Sequence, residues 1–156
     1  MCLLTISCVE NKQKDVKRDY LKDLKLKAVN GKKSSYDYLV DYYNNNPSES
    51  YDLLPISILA ADKYNYSNAC VMININLVQM ANDGKYHDSL FKNLNNGNKR
   101  MSLYYLEKGA KANDLSCISI LENLNRNGWG IEKNILKADS LLKVEKKLFP
   151  RTYELD

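Results

Sequence analysis

The sequence predicts an all-α fold, an α-solenoid of about seven to eight helices arranged as antiparallel pairs. Three observations predict it. Apolar residues recur at helical spacing almost everywhere after Lys14. No apolar/polar alternation is sustained, since the short stretch Ile73-Asn74-Ile75-Asn76-Leu77 also fits a helix. Punctuation is sparse and local: three prolines, six glycines and clusters such as Asn44-Asn45-Asn46 and Asn95-Asn96. The short Asn amide competes with backbone hydrogen bonds, so these clusters favour turns and helix ends. Short helices joined by tight turns pack as antiparallel neighbours.

The elements follow in order. Val16, Tyr20, Leu24 and Ala28 recur at i+4, so a first helix runs to about Val29 and ends at Gly31. Ser34 or Ser35 can cap a second helix carrying Tyr38, Leu39, Tyr42 and Tyr43, which stops at the Asn run and Pro47. A third spans roughly Tyr51 to Lys63, with Pro55 tolerated in its first turn. Ser67 opens a fourth, with Val71, Ile75, Val78 and Met80 available for the core, ending at Asn82-Asp83-Gly84. A short helix from Asp88 to Leu94 follows, then helices from about Lys99 to Ala112, Leu115 to Arg126 and Asn134 to Leu148.

The pairs repeat. Cys117, Leu121, Gly128, Gly130, Ile131, Lys137, Ala138 and Leu142 follow a fixed spacing that resembles the Sel-one-like repeat, a tetratricopeptide-like family. That unit reads roughly A-x3-L-x6-G-x-G-V-x5-K-A. Cys117 to Leu121 resembles its first helix, Asn127-Gly-Trp-Gly-Ile131 its loop, and Lys137-Ala138 the start of its second helix. Tyr104 to Ala110 resembles the end of an earlier unit's second helix, and Ser102 then aligns with Ala138 at a period of about 36 residues. A fainter echo aligns Ala61 with Ala110, which places an insertion around Gly84 to Asn96. The resemblance is specific over 101–144. It implies structural roles for Leu121, Gly128, Gly130, Ile131, Ala138 and Leu142: small residues where helices cross, and glycines where the loop turns. Asn125 replaces a usual Tyr, and Val144-Glu145-Lys146 replaces paired alanines, which predicts a polar-faced last helix with no repeat stacked on it.

The chain divides into residues 1–13, an N-terminal segment, and 14–156, the helical repeat domain. The run Met-Cys-Leu-Leu-Thr-Ile-Ser-Cys resembles the end of a bacterial lipoprotein signal, with Cys8 as the lipidated residue. That resemblance implies a periplasmic protein held at the membrane only through the Cys8 lipid. The alternative is a short N-terminal segment of a cytoplasmic protein. At 44% hydrophobic and 27% charged residues, the composition is that of an ordered globular chain. The net charge of +4 is scattered along helix faces without an Arg/Lys stripe, so no nucleic-acid partner is expected.

Catalytic groups are not evident. The one histidine, His87, has no partners at triad or zinc spacing. Asp19/Asp23 and Asp37/Asp41 sit at i+4 beside lysines, as solvated faces do. No phosphate loop, nucleophile elbow or CxxC occurs, so no catalytic, metal or cofactor residue is assigned and no cofactor is expected. Cys70 and Cys117 occupy equivalent small-residue sites of neighbouring repeats and are expected to stay free thiols.

Twelve tyrosines stand against two phenylalanines. Tyr104 or Tyr105 is expected to plug the core. Tyr36, Tyr38, Tyr42, Tyr43, Tyr64 and Tyr66 cannot all face inward, and each reads either as a core tyrosine with a surface hydroxyl or as an interface residue. Trp129, between the two loop glycines, is a candidate hot spot, and Tyr86 and His87 are further candidates within the insertion. The resemblance implies a protein-binding role rather than an enzyme. Its sharper form is a bacterial immunity protein that binds a cognate type VI secretion toxin, such as a phospholipase, and occludes the active site with the repeat surface or the inserted segment. The alternative is an adaptor or scaffold in an envelope or signalling complex.

Overall fold

The computed structural model describes residues 17–150 as helices joined by short turns, with no strand among the described residues. Helix α1 covers 17–29, α2 Lys33–Asn44, α3 Leu54–Lys63, α4 Ser67–Met80, α5 Asn96–Lys111, α6 Leu115–Asn127 and α7 Ile135–Leu148. Two 3-10 helices join them: Pro47–Leu53 runs directly into α3, and Asp88–Asn93 lies between α4 and α5. Cys8, the 1–13 segment and Val16 lie outside the described residues.

Caps fix most boundaries. Asn95, Asp114 and Asn134 each accept a hydrogen bond from the backbone N–H three residues on, opening α5, α6 and α7. Gly31 (φ 85°) closes α1: its N–H donates to Ala28 O and that of Lys32 to Lys27 O. Asn113 (φ 60°) closes α5 in the same way, through Asn113 N to Ala110 O and Asp114 N to Gly109 O. This tight turn at Gly31 corrects the expectation for α2. The helix starts at Lys33 with Lys32 as an uncapped N-cap, so Ser34 and Ser35 lie inside its first turn and Ser35 is buried.

Each helix from α3 to α7 packs on the next, giving a solenoid-like stack. The crossings use small residues. Ser102 of α5 and Ala138 of α7, which the sequence spacing aligns, are both fully buried. Gly109 of α5 is pressed against two other helices: a Cβ there would collide with Cys117 Sγ and stand 3.0 Å from Cys70 Cβ. Cys70 and Cys117 are both buried and both free. Leu106, Leu121 and Leu124 fill the layer between them, each contributing about 1.5–3 kcal/mol by leaving water.

Several core assignments need correction. Tyr20 is exposed, its ring edge-on to that of Tyr38 at 5.7 Å, while α1 reaches the core through Leu24, Ala28 and the partly buried Leu21. On α4 the core face is Ala69, Cys70, Met72, Ile73, Leu77 and Val78, while Met80 is exposed at the last turn. Of the Tyr104/Tyr105 pair, one of which is expected in the core, Tyr105 is buried and Tyr104 exposed. The exposed surface of α7 is mixed: Lys137, Ser140, Lys143, Lys146 and Lys147 are exposed as expected, but so are Leu136 (84%) and Val144, and Ala138 is the helix's sole buried residue among those described.

Candidate protein-interaction surface

The connections following α2, α4 and α6 line up along one edge of the stack. Pro47, Ser50 and Tyr51 of the first connection share an open pocket of about 550 Å³ with Gln79 and Met80 at the end of α4 and Asp83 to Lys85 of the second. The second and third meet directly. The His87 ring lies 5.8 Å from the Trp129 ring, and a Cβ on Gly130 would stand 2.8 Å from Lys92 Cα and 3.0 Å from Phe91 Cδ1. Gly130 (φ 76°) is therefore required twice, by its backbone conformation and by the close approach of the insertion.

The insertion is built into the core. Phe91 and Leu94 are buried, which accounts for the helical segment predicted there; it is a short 3-10 helix, Asp88–Asn93, rather than an α-helix. A chain of polar contacts fixes the rest. Ser102 Oγ donates to Asn74 Oδ1 (2.7 Å), and Asn74 Nδ2 donates to the Tyr86 hydroxyl (3.0 Å). That hydroxyl donates to Asp88 Oδ1 (2.9 Å), whose other oxygen accepts from Asn123 Nδ2 (2.9 Å). One carboxylate thus ties the insertion to α6, and one tyrosine ties it to α4. Burial and the Asp88 charge hold the Tyr86 hydroxyl far above its ordinary pKa, so it stays a donor at any physiological pH.

The tyrosines proposed from sequence as contact residues turn out to have structural partners. Tyr36 and Tyr43 are buried and unavailable to a partner; Tyr36 shares a 3.0 Å hydrogen bond with Ser57 Oγ. They point inward because Ser35, Tyr36, Leu39 and Tyr43 form the α2 face turned to the core. Tyr64 and Tyr66 are partly buried and staple the α1–α2 turn, donating to Val29 O (2.8 Å) and Gly31 O (2.6 Å). A Cβ on Gly31 would strike the Tyr64 ring at 2.7 Å, so the turn and this ring fit as a pair. Tyr42 is half-buried, donates to Glu49 Oε2 (3.0 Å) and lies under Lys17 Nζ at 5.0 Å. Tyr86 belongs to the polar chain above. His87 is exposed, with its Nδ1 capping the 3-10 helix at Ser89, and Trp129 is half-buried beside it.

The repeat positions are arranged around the third connection. Leu121 and Ala138 are buried, Leu142 and Ile131 partly so, and Gly128 (φ 71°) is the left-handed C-cap of α6. Asn125 holds the loop from beneath, since its amide donates to Leu121 O (2.7 Å) and its carbonyl accepts from Asn134 N (2.8 Å). Arg126 pairs with Glu122 on its own helix and with Asp139 of α7 (2.9 Å).

A second concavity escaped the sequence reading. Between α4, α6 and the last turns of α7 lies an open groove of about 430 Å³. Val71, Ile75 and Ile120 give it an apolar floor; Ser116 and Ser119 add hydroxyls, and Asp88 and Glu145 add carboxylates. The signal was present in part. Val71 and Ile75 are spaced i+4 on the side of α4 away from Ala69 and Leu77, and Glu145 falls within the departure from the paired alanines. Sequence spacing could not show that the two faces meet. Exposed Tyr51 and Met80 on the loop edge were likewise missed.

Among the described residues no group of three His, Cys, Asp or Glu is placed to hold a metal ion, and no helix is long and apolar enough to cross a membrane. Comparison with models of known families, with curated proteins and with solved structures found no match.

Proposed function

We propose that this chain is a protein-binding helical-repeat module, and that its partner is a cognate bacterial toxin which it inhibits by covering the active site. The observation that carries the binding reading is the open apolar-floored groove lined from two successive helix pairs, beside an edge that exposes Tyr51, Met80 and His87. Stacked repeats recognise partners through such continuous surfaces, where rigid elements hold the contact groups and little ordering entropy is lost on binding. The toxin reading rests on the resemblance of residues 101–144 to Sel-one-like repeats. On this reading the insertion acts as a fixed wall of the binding surface and not as a free arm, because Phe91, Tyr86 and Asp88 anchor it.

A second reading, an adaptor in a larger complex, is favoured by a different observation. Helix α7 exposes Leu136 and Val144 on one side, among lysines, a surface on which a further helical element could stack. Co-expression with the product of the adjacent gene separates the two. Co-purification together with rescue of growth supports inhibition. Association without any effect on toxicity supports the adaptor, and no association removes the toxin reading. The membrane anchor at Cys8 is a separate proposal: palmitate label retained in the Cys8→Ser variant would remove it.

A further inference from the structure

We infer that the groove between α4, α6 and the end of α7 takes a segment of the partner protein that combines aliphatic with cationic side chains, with Glu145 as the charged anchor. This rests on the protein-binding reading above and specifies the chemistry of the segment. The floor of Val71, Ile75 and Ile120 offers apolar surface that gains by burial, while the charged groups lining the groove, Asp88 and Glu145, are both acidic. The two carboxylates differ. Asp88 already accepts from Tyr86 and Asn123, so it contributes negative potential but is committed to the fold. The Glu145 side chain makes no hydrogen bond or ion pair among the described residues, although it is half-buried. A partly desolvated carboxylate without a cation is a place where a Lys or Arg from outside gains most.

The local charge of the groove lining, not the overall charge, carries this match. A chain of net charge +4 repels a basic segment at long range. Screening limits that repulsion to about 8–10 Å at ordinary salt, so the lining of the groove decides the outcome at contact. An acidic segment would instead meet two carboxylates and be rejected. The groove is open along its length, whereas small-molecule sites enclose most of the ligand surface, so a chain segment fits it better than a metabolite.

The test is selection of short random peptides, displayed on phage, against the full chain. The expected winners pair Lys or Arg with Leu, Ile or Phe. The best of them, labelled with fluorescein, should bind Glu145→Lys at least about tenfold more weakly by anisotropy, a loss of about 1.4 kcal/mol. Ser119→Arg, which fills the groove from an accessible position, should weaken it similarly while keeping the parent thermal midpoint. Acidic winners, or winners that bind both variants like the parent, would overturn the groove assignment and leave the broader protein-binding reading standing. No enrichment over a mock selection would remove both. Two other occupants would also overturn it. Tighter binding by a chain ended at Pro150 would assign the groove to residues 151–156. A dimer that Ser119→Arg dissociates would assign it to a second copy.

Discussion

The α4–α5 unit and the α6–α7 unit meet the same packing problem with different chemistry. Where α6 places Leu121 and α7 places Ala138, α4 places Asn74 and α5 places Ser102, and all four side chains are buried. The apolar pair fills its space and closes with a short loop built on Gly128 and Gly130. The polar pair is hydrogen-bonded to itself and passes a further bond to Tyr86, so it holds a longer connection in place. A buried polar pair that is fully satisfied costs little, and here it gives a loop a fixed position. The segment between α4 and α5 is thus a structural wall shared by two helix pairs, which leaves the groove beside it with a defined shape.

The largest expected effect comes from emptying the insertion's own core. Phe91→Ala should cost about 3–5 kcal/mol in urea unfolding, as for any buried aromatic. A cost below about 1 kcal/mol would mean that the segment is an appended loop, erasing the contrast. Next, Gly130→Ala should cost about 2–3 kcal/mol, because the residue has φ 76° and its Cβ would meet the Lys92 backbone. A neutral result would place the third connection away from the second.

The polar pair itself can be exchanged for the apolar one. Asn74→Leu alone strands the Ser102 hydroxyl and should cost about 1–3 kcal/mol, whereas Asn74→Leu with Ser102→Ala should recover about 1 kcal/mol of that. Strict additivity would show that the two do not act as a pair. A smaller change, of opposite sign, is expected two residues further along α4. Asn76 is fully buried with neither amide atom hydrogen-bonded, so Asn76→Leu should stabilise the chain by about 1 kcal/mol.

The smallest effect is electrostatic. The Lys108 ammonium, aided by the Tyr105 hydroxyl, holds the Asp62 carboxyl below its ordinary value of 3.8. A depressed carboxyl stabilises the fold above that ordinary value, and the contribution disappears as acid takes the pH down through the depressed one. The tie between α3 and α5 should therefore add about 0.5 kcal/mol at neutral pH, because the side chains are exposed and screened. Asp62→Asn should flatten the acid limb of stability against pH, and an unchanged limb would remove this tie.

Much of the fold was legible because helices announce themselves locally. The starts of α6 and α7 near Leu115 and Asn134 and the stop at Gly31 depend on residues within a few positions of each other, whereas α5 opens at Asn96, earlier than the Lys99 the spacing suggested. Ser102 and Ala138, small residues singled out by their spacing, are both buried, as a close helix crossing requires. What stayed hidden was pairing across distance. Tyr36 and Tyr66 look alike in sequence, yet one is sealed beside Ser57 and the other reaches a carbonyl across the α1–α2 turn. The groove was hidden for the same reason. Ile75 and Ile120 belong to different helices, and Glu145 to a third. On α7 the exposed lysines are interspersed with exposed Leu136 and Val144, a mixture that composition alone does not resolve into faces.

Native-state hydrogen exchange tests the central claim, that the insertion is part of the shared core and walls the groove, most directly. The amides of Leu90 and Leu94, bonded to His87 O and Phe91 O, should exchange through the same opening that releases α4 and α6. Exchange of both amides at the rate of an unprotected loop, while α4 and α6 remain protected, would contradict the account.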